Sequence, residues 1–130
     1  MSMNDPLASA LSKIMNAENR EQKECIIKPV SKLIKKVLEI LNAEGYIGSF
    51  KELEDSKGNM LQVNLLGKVN KTGVIKPRFF IKKDGYEKFE KRYLPSNNFG
   101  VLIVSTSLGL KVNNEAKKKG IGGKLIAYVY

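Results

Sequence analysis

The sequence predicts an α+β fold, with an N-terminal α-β-α-β-β domain packed on a C-terminal, mainly β domain that contains short helices. Three observations lead to this prediction. Two segments of the first half repeat apolar residues at helical spacing, short alternating or β-branched segments make up much of the rest, and glycine turns become frequent after Lys68. The change at Lys68 separates a domain of residues 1–67 from one of residues 68–130.

Two helices are predicted in the first domain. Asn4 or Asp5 is placed to cap the first, with Pro6 in its first turn, and Ser31 is placed to cap the second. Gly45 then ends the second helix, because glycine readily adopts the left-handed conformation found at helix C-termini. The apolar stripes are Leu7, Leu11, Ile14 and Met15 in the first helix, which runs to about Glu18, and Leu33, Ile34, Val37, Leu38 and Leu41 in the second.

Three strands complete the first domain. Residues 24–28 form a short strand with apolar, β-branched side chains. Residues 46–53 and 60–66 flank a polar turn, 54–59, and the second of these segments alternates apolar with polar residues. This arrangement is typical of a β-hairpin.

The second domain is predicted to consist of short strands, turns and two short helices. An extended segment covers residues 74–82 around Pro77, and a helix follows Gly85 and ends at Pro95. The apolar residues of this helix, at helical spacing, are Tyr86, Phe89, Tyr93 and Leu94. The remaining predicted elements are a buried strand over 99–105, two helical turns over 113–119 and a final strand over 125–130.

Positive charge is concentrated in the second domain. The chain has 23 basic and 13 acidic residues, for a net charge of +10. Residues 1–67 are neutral, whereas residues 68–130 carry 14 Lys and Arg against 4 acidic residues. This asymmetry favours a polyanionic partner, with nucleic acid ahead of an anionic membrane because no basic segment has a strongly amphipathic helical pattern. The alternative is a solvated charged face without a partner.

The composition excludes most ordinary enzyme classes. The chain has no histidine, which rules out Ser/His/Asp and Cys/His nucleophiles, an imidazole base and nearly all zinc sites. Its single cysteine, Cys25, has apolar neighbours and is predicted to be a buried strand residue. The longest apolar stretch, 99–104, is far shorter than a membrane span, and the N-terminus has no secretory pattern. We therefore expect a cytoplasmic protein.

A glycine-rich segment, 118–126, invites two interpretations. Its basic residues and glycines resemble the loop with which acetyl-CoA-dependent N-acetyltransferases hold pyrophosphate. In that fold the loop opens a long helix and further strands follow, whereas seven residues remain here after Gly123. The favoured interpretation is a tight turn before a strand.

Ser105, Thr106 and Ser107 place three hydroxyl groups at the end of a predicted strand, just before Gly109. Because a hydroxyl both donates and accepts hydrogen bonds, such a cluster is suited to base edges, ribose 2′-hydroxyls and phosphate oxygens. The alternative is that these side chains only cap a turn.

The order of several motifs closely resembles the universal small-subunit ribosomal protein eight family over the whole chain. The most specific part is Ser105-Thr106-Ser107-x-Gly109, followed by Glu115-Ala116 and then Gly122-Gly123. Segments 75–79 and 85–100 are similar to the archaeal and eukaryotic branch, and the ending 127–130 suits archaea best. The other motifs in the same order are Asp5-Pro6-Leu7-Ala8, Ile14-Met15-Asn16-Ala17, Pro29-x-Ser31-Lys32-Leu33 and Gly45-Tyr46-Ile47.

The resemblance implies a non-enzymatic protein that binds the central domain of small-subunit ribosomal RNA early in platform assembly, beside neighbouring ribosomal proteins. It further implies no metal or other cofactor, a monomer when free, and repression of translation by binding to its own messenger RNA. A free-standing RNA-binding regulator is the alternative within the RNA-binding class. The RNA-binding residues that the resemblance implies are Ser105, Thr106, Ser107, Gly109, Gly122, Gly123, Ser31, Lys32 and Lys124.

Two features depart from the family pattern. Lys111 and Val112 replace the usual Met and the Ser or Thr that caps the next helix, so Asn113 is expected to cap it instead. Near Met15 the bacterial members often carry Arg, and one phosphate contact is therefore expected to be missing.

Overall fold

A computed structural model describes residues 6–28, 30–55, 58–76, 78–96 and 99–130. The chain divides into two compact units, Met1–Lys71 and Thr72–Tyr130. Each unit combines helices with one antiparallel sheet, so the predicted α+β class is confirmed. Among the predicted features, the cap at Asn4 or Asp5, the turn residues 56–57, and the prolines Pro29 and Pro77 lie outside the described residues.

The first unit has the element order α-β-α-β-β. Its three strands form an antiparallel sheet in the order β1-β3-β2. The buried side chains of both helices face inward, and Cys25 is buried in β1, as predicted. The elements are α1 (Pro6–Asn19), β1 (Glu24–Ile27), α2 (Lys32–Ala43), β2 (Ile47–Asp55) and β3 (Gly58–Leu65).

Local side chains and backbone conformation set the limits of α2. At its start, the hydroxyl of Ser31 accepts a hydrogen bond from the backbone N–H of Ile34 at 3.1 Å. At its end, Gly45 has a φ of 80°, and the N–H groups of Gly45 and Tyr46 bond back to the last turn in the Schellman pattern. Both predicted ends of this helix are confirmed.

The second unit is built around its last strand. Strand β8 pairs with β4, β5 and β6, and β6 pairs in turn with β7, all antiparallel. The helix predicted after Gly85 is confirmed as α3. The elements are β4 (Thr72–Val74), β5 (Phe80–Ile81), α3 (Tyr86–Tyr93), β6 (Val101–Thr106), β7 (Gly109–Val112), α4 (Asn113–Lys119) and β8 (Gly123–Val129).

One face of this sheet carries the unit's apolar core. Side chains from strands, helices and connecting segments meet there, with Phe79, Phe89, Tyr93 and Tyr128 packed at its margin. The buried members are Ile75, Ile81, Tyr86, Leu94, Leu102, Val104, Ala116 and Leu125. No helix among the described residues is long and apolar enough to cross a membrane.

The segment after the hydroxyl residues differs from the prediction. Residues 109–112 form β7, a strand that the sequence pattern did not indicate, and it contains both residues that depart from the family pattern. Lys111 pairs with Val104 across the sheet, and its ammonium lies 3.5 Å from the carboxylate of Glu115. The departure at this point is therefore accommodated within a hairpin and an ion pair.

The prediction that Asn113 caps the next helix is wrong. Asn113 is the first residue of α4 and is only 2% exposed, whereas Val112 occupies the cap position without a side-chain hydrogen bond. The side-chain oxygen of Asn113 accepts a hydrogen bond from the N–H of Leu102 at 3.1 Å, and the side-chain nitrogen of Asn113 donates to the carboxylate of Glu90. Ile103 pairs with Val112, the last residue of β7, so no residue of β7 lies opposite Leu102. The Asn113 side chain accepts the hydrogen bond from the Leu102 N–H instead.

Candidate nucleic-acid interface

Residues 105–109 form a tight β-hairpin, here called the hydroxyl hairpin. Ser105 and Thr106 end β6, Ser107 and Leu108 form the turn, and Gly109 begins β7 opposite Thr106. Gly109 has a φ of 102°, a backbone conformation open to glycine and costly for other residues. The hairpin therefore requires glycine at this position for its shape.

The three hydroxyl groups of the hairpin have different environments. The Thr106 hydroxyl donates to the carbonyl of Gly109 at 2.7 Å and accepts from the N–H of Leu108 at 3.1 Å. Ser105 and Ser107 are exposed, and their hydroxyls form no hydrogen bond within the part of the chain that the structure describes. Turn capping thus accounts for Thr106, while Ser105 and Ser107 remain available to a ligand.

Lys124 lies beside this hairpin. It pairs with Ser105 in the register of β6 and β8, so the two side chains project from the same face of the sheet. On its other side Lys124 pairs with Phe80 of β5. We call Phe80, Lys124 and Ser105 the cross-strand row. All three side chains are exposed, and Phe80 retains 67% of its accessible surface.

Gly122 and Gly123 let three strands approach closely. A Cβ on Gly122 would overlap the carbonyl oxygen of Ile81 in β5, and one on Gly123 would overlap the carbonyl oxygen of Ser105 in β6. Both Cβ atoms would lie closer than 3.0 Å to these carbonyl oxygens, a separation that real Cβ atoms essentially never show. The two glycines therefore have a packing function at the start of β8, and their contact with RNA stays a prediction.

Helix α3 supports the entry into β8. The hydroxyl of Tyr86 donates a hydrogen bond to the carbonyl of Ile121 at 2.8 Å, immediately before the two glycines. Tyr86 is 1% exposed, and burial raises the pKa of its phenol above the ordinary value. The phenol consequently stays protonated and keeps donating under ordinary conditions.

Ser31 and Lys32, the other predicted site residues, lie in the first unit at the start of α2. Ser31 caps the helix, and Lys32 is exposed on its first turn. The nearby Lys35 is engaged differently, since its ammonium lies 2.6 Å from the carboxylate of Glu52. The hydrogen bond from Lys35 is the main reason why the pKa of the Glu52 carboxyl is lowered.

Sequence reasoning did not single out Phe80, which the structure places in the cross-strand row. Phe79, Phe80 and Ile81 are three successive apolar residues, and only the strand register shows that the middle one faces outward. Because the segment is apolar throughout, no alternation of apolar and polar residues pointed to this orientation. Among the described residues, no group of three or more His, Cys, Asp or Glu side chains is placed to hold a metal ion.

Exposed hydroxyl, ammonium and aromatic groups on a sheet of a basic α+β protein are features of the RNA-binding class. A comparison with protein-family models matches residues 5–130 to the family described as Ribosomal protein S8. The chain belongs to this family. It is thus a ribosomal protein with a structural, RNA-binding function in translation rather than an enzyme, and it associates with ribosomal RNA and other ribosomal proteins in the cytoplasmic ribosome.

Proposed function

We propose that this protein binds the central domain of small-subunit ribosomal RNA and helps to start assembly of the subunit platform. The observation that carries the proposal is the pair of free hydroxyls, Ser105 and Ser107, displayed beside the exposed ammonium of Lys124. Binding to RNA needs both groups that read bases and riboses and groups that attract phosphates. The second domain, residues 68–130, supplies them on one hairpin and its neighbouring strand.

Each group of the hydroxyl hairpin has a distinct function in this proposal. Ser105 and Ser107 donate and accept hydrogen bonds at base edges and 2′-hydroxyls, which the shallow minor groove of RNA presents. Thr106 holds the turn in shape through its two internal hydrogen bonds. Lys124 contacts a phosphate, and the close approach that Gly122 and Gly123 allow to β5 and β6 holds the start of β8 beside the hydroxyl hairpin.

The first domain, residues 1–67, contributes mainly a scaffold and one further contact. Ser31 and Lys32 lie at the start of α2, where backbone N–H groups and the helix dipole favour an anion. The exposed ammonium of Lys32 adds a positive charge to that end. A phosphate group of the RNA is the ligand that this combination suits.

The finer assignment follows from sequence motifs. Segments 75–79, 85–100 and 127–130 support membership of the archaeal and eukaryotic branch, with archaea favoured. The same hydroxyl hairpin would serve a messenger RNA of similar shape, which supports repression of the protein's own translation. The free protein acts as a monomer in this account.

Chemical footprinting of the full-length protein on intact small-subunit ribosomal RNA tests the proposal. We expect protection confined to a helical region of the central domain. Protection spread evenly over the RNA, or confined to another domain, would contradict it. Cosedimentation with small subunits separates the ribosomal function from that of a free-standing RNA-binding regulator, which would remain outside the subunit fraction.

A further inference from the structure

We propose that Phe80 is a stacking platform for an unpaired RNA base, next to a phosphate held by Lys124. The inference rests on the proposed RNA-binding function and adds a requirement for the RNA itself. The recognised site must contain a base that is turned out of its helix. Hydroxyl groups alone would place no such requirement on the RNA.

The orientation of Phe80 is the first argument. Its neighbours Phe79 and Ile81 belong to the apolar side of the sheet, where Ile81 is only 1% exposed and Phe79 packs against Phe89. Phe80 points to the opposite face of the sheet. It is 67% exposed, the highest value for a large apolar side chain among the described residues. An aromatic ring left in water offers a large, rigid contact area at a low cost in side-chain entropy.

The position of Phe80 in the cross-strand row is the second argument. Lys124 separates it from Ser105, and each strand is displaced from the next by about 4.8 Å. A ring, an ammonium group and a hydroxyl thus follow one another across roughly 10 Å of the same face. These are the groups that contact the face of a base, a phosphate and a base edge or ribose, respectively.

The charge around Phe80 favours a nucleic acid over an apolar protein partner. Arg78 and Lys82 lie two residues before and after Phe80, and Lys124 pairs with it across the sheet. All three basic side chains are exposed. An isolated ring within a positively charged surface complements a polyanion that carries flat, apolar bases. A protein partner would instead be expected to meet a larger continuous apolar patch.

Two substitutions distinguish the effect of the aromatic face of Phe80 on RNA binding from the effect of its apolar bulk. Phe80→Leu keeps an apolar side chain without a π face, and Phe80→Tyr keeps the ring. Leu66→Ala is the matched control, because Leu66 is 52% exposed and lies in the other unit. Each full-length variant is titrated at fixed salt with a central-domain transcript of small-subunit ribosomal RNA and with a fully paired RNA duplex of equal length.

We expect Phe80→Leu to weaken binding to the transcript about 5- to 150-fold, the range for loss of one stacked base. Its weak binding to the duplex should be unchanged, and Phe80→Tyr and Leu66→Ala should bind the transcript like the wild type. Wild-type affinity of Phe80→Leu for the transcript would overturn the inference, as would an equal loss on both RNAs. Normal RNA binding combined with poor incorporation into subunits would assign Phe80 to a protein contact instead.

The proposed function fails in a different way. It is contradicted if the wild-type protein itself prefers the duplex or binds both RNAs equally. That result would not depend on residue 80.

Discussion

Gly123 packs against the carbonyl oxygen of Ser105, closer than any side chain at position 123 would allow. This approach joins β8 to β6 at the end of the sheet where the hydroxyl hairpin begins. It also sets the position of Lys124, the next residue, relative to Ser105. The geometry of the site therefore depends on a backbone contact as well as on its polar side chains.

Gly123→Ala is expected to destabilise the protein by about 1–3 kcal/mol, because the added methyl group forces β8 and β6 apart. Thermal melting measures the loss. Gly85→Ala is the control, since a Cβ at Gly85 has its nearest neighbours at an ordinary 3.4 Å and the residue has a φ of −100°. Equal melting temperatures for the two variants would show that the strands can relax around the methyl group.

Asn113→Ala should also destabilise the protein, by about 1–3 kcal/mol, because it leaves the buried N–H of Leu102 without its partner. Glu90 retains one other partner, as the ammonium of Lys117 lies 2.7 Å from its carboxylate. Denaturant unfolding measures the difference. The neighbouring Asn114 is exposed, and Asn114→Ala should unfold like the wild type. A stable Asn113→Ala variant would mean that the network contributes little.

Substitutions at Ser31 separate helix capping from phosphate binding. Ser31→Ala removes the hydrogen bond to Ile34 and should cost about 1 kcal/mol of stability, whereas Ser31→Asp keeps an acceptor and should melt near the wild type. If a phosphate binds here, the added negative charge of Ser31→Asp should weaken RNA binding despite the preserved fold. Ser31→Asn provides a neutral cap for comparison. Unchanged affinity of Ser31→Asp would restrict Ser31 to capping.

The parts of the fold that follow from neighbouring residues were predictable from the sequence. The limits of α2 depend on Ser31 and Gly45 acting within one turn of the helix ends, so the pattern was sufficient. The hairpin of β2 and β3 similarly follows from local alternation and a polar turn.

The features that depend on distant residues were not predictable in this way. The burial of Asn113 follows from where β7 ends relative to β6, which no local pattern gives. The packing of Gly122 and Gly123 depends on strands that are distant along the chain. For the site, the motif located the hydroxyl groups, but only the hydrogen bonds distinguished Thr106 from Ser105 and Ser107.

The salt dependence of RNA binding tests the contribution of charge. If roughly 4 to 6 basic residues contact phosphates, log K should fall with log salt concentration with a slope of about −3 to −5. Titrations of ribosomal RNA at several salt concentrations give this slope. A slope near zero would contradict binding to a polyanion. Equal affinity for any RNA hairpin would show that charge alone acts, without a contribution from the hydroxyl hairpin.

The most direct test of the account is the affinity of Ser107→Ala for small-subunit ribosomal RNA at fixed salt, measured together with thermal melting. Ser107 is exposed, so its removal should change stability by no more than about 0.5 kcal/mol. Thr106→Val, which removes two internal hydrogen bonds, should instead destabilise the hairpin by about 1 kcal/mol. We expect Ser107→Ala to bind about 5- to 150-fold more weakly, because an RNA group loses its partner in a desolvated interface. Wild-type affinity, or early melting of Ser107→Ala, would contradict the account.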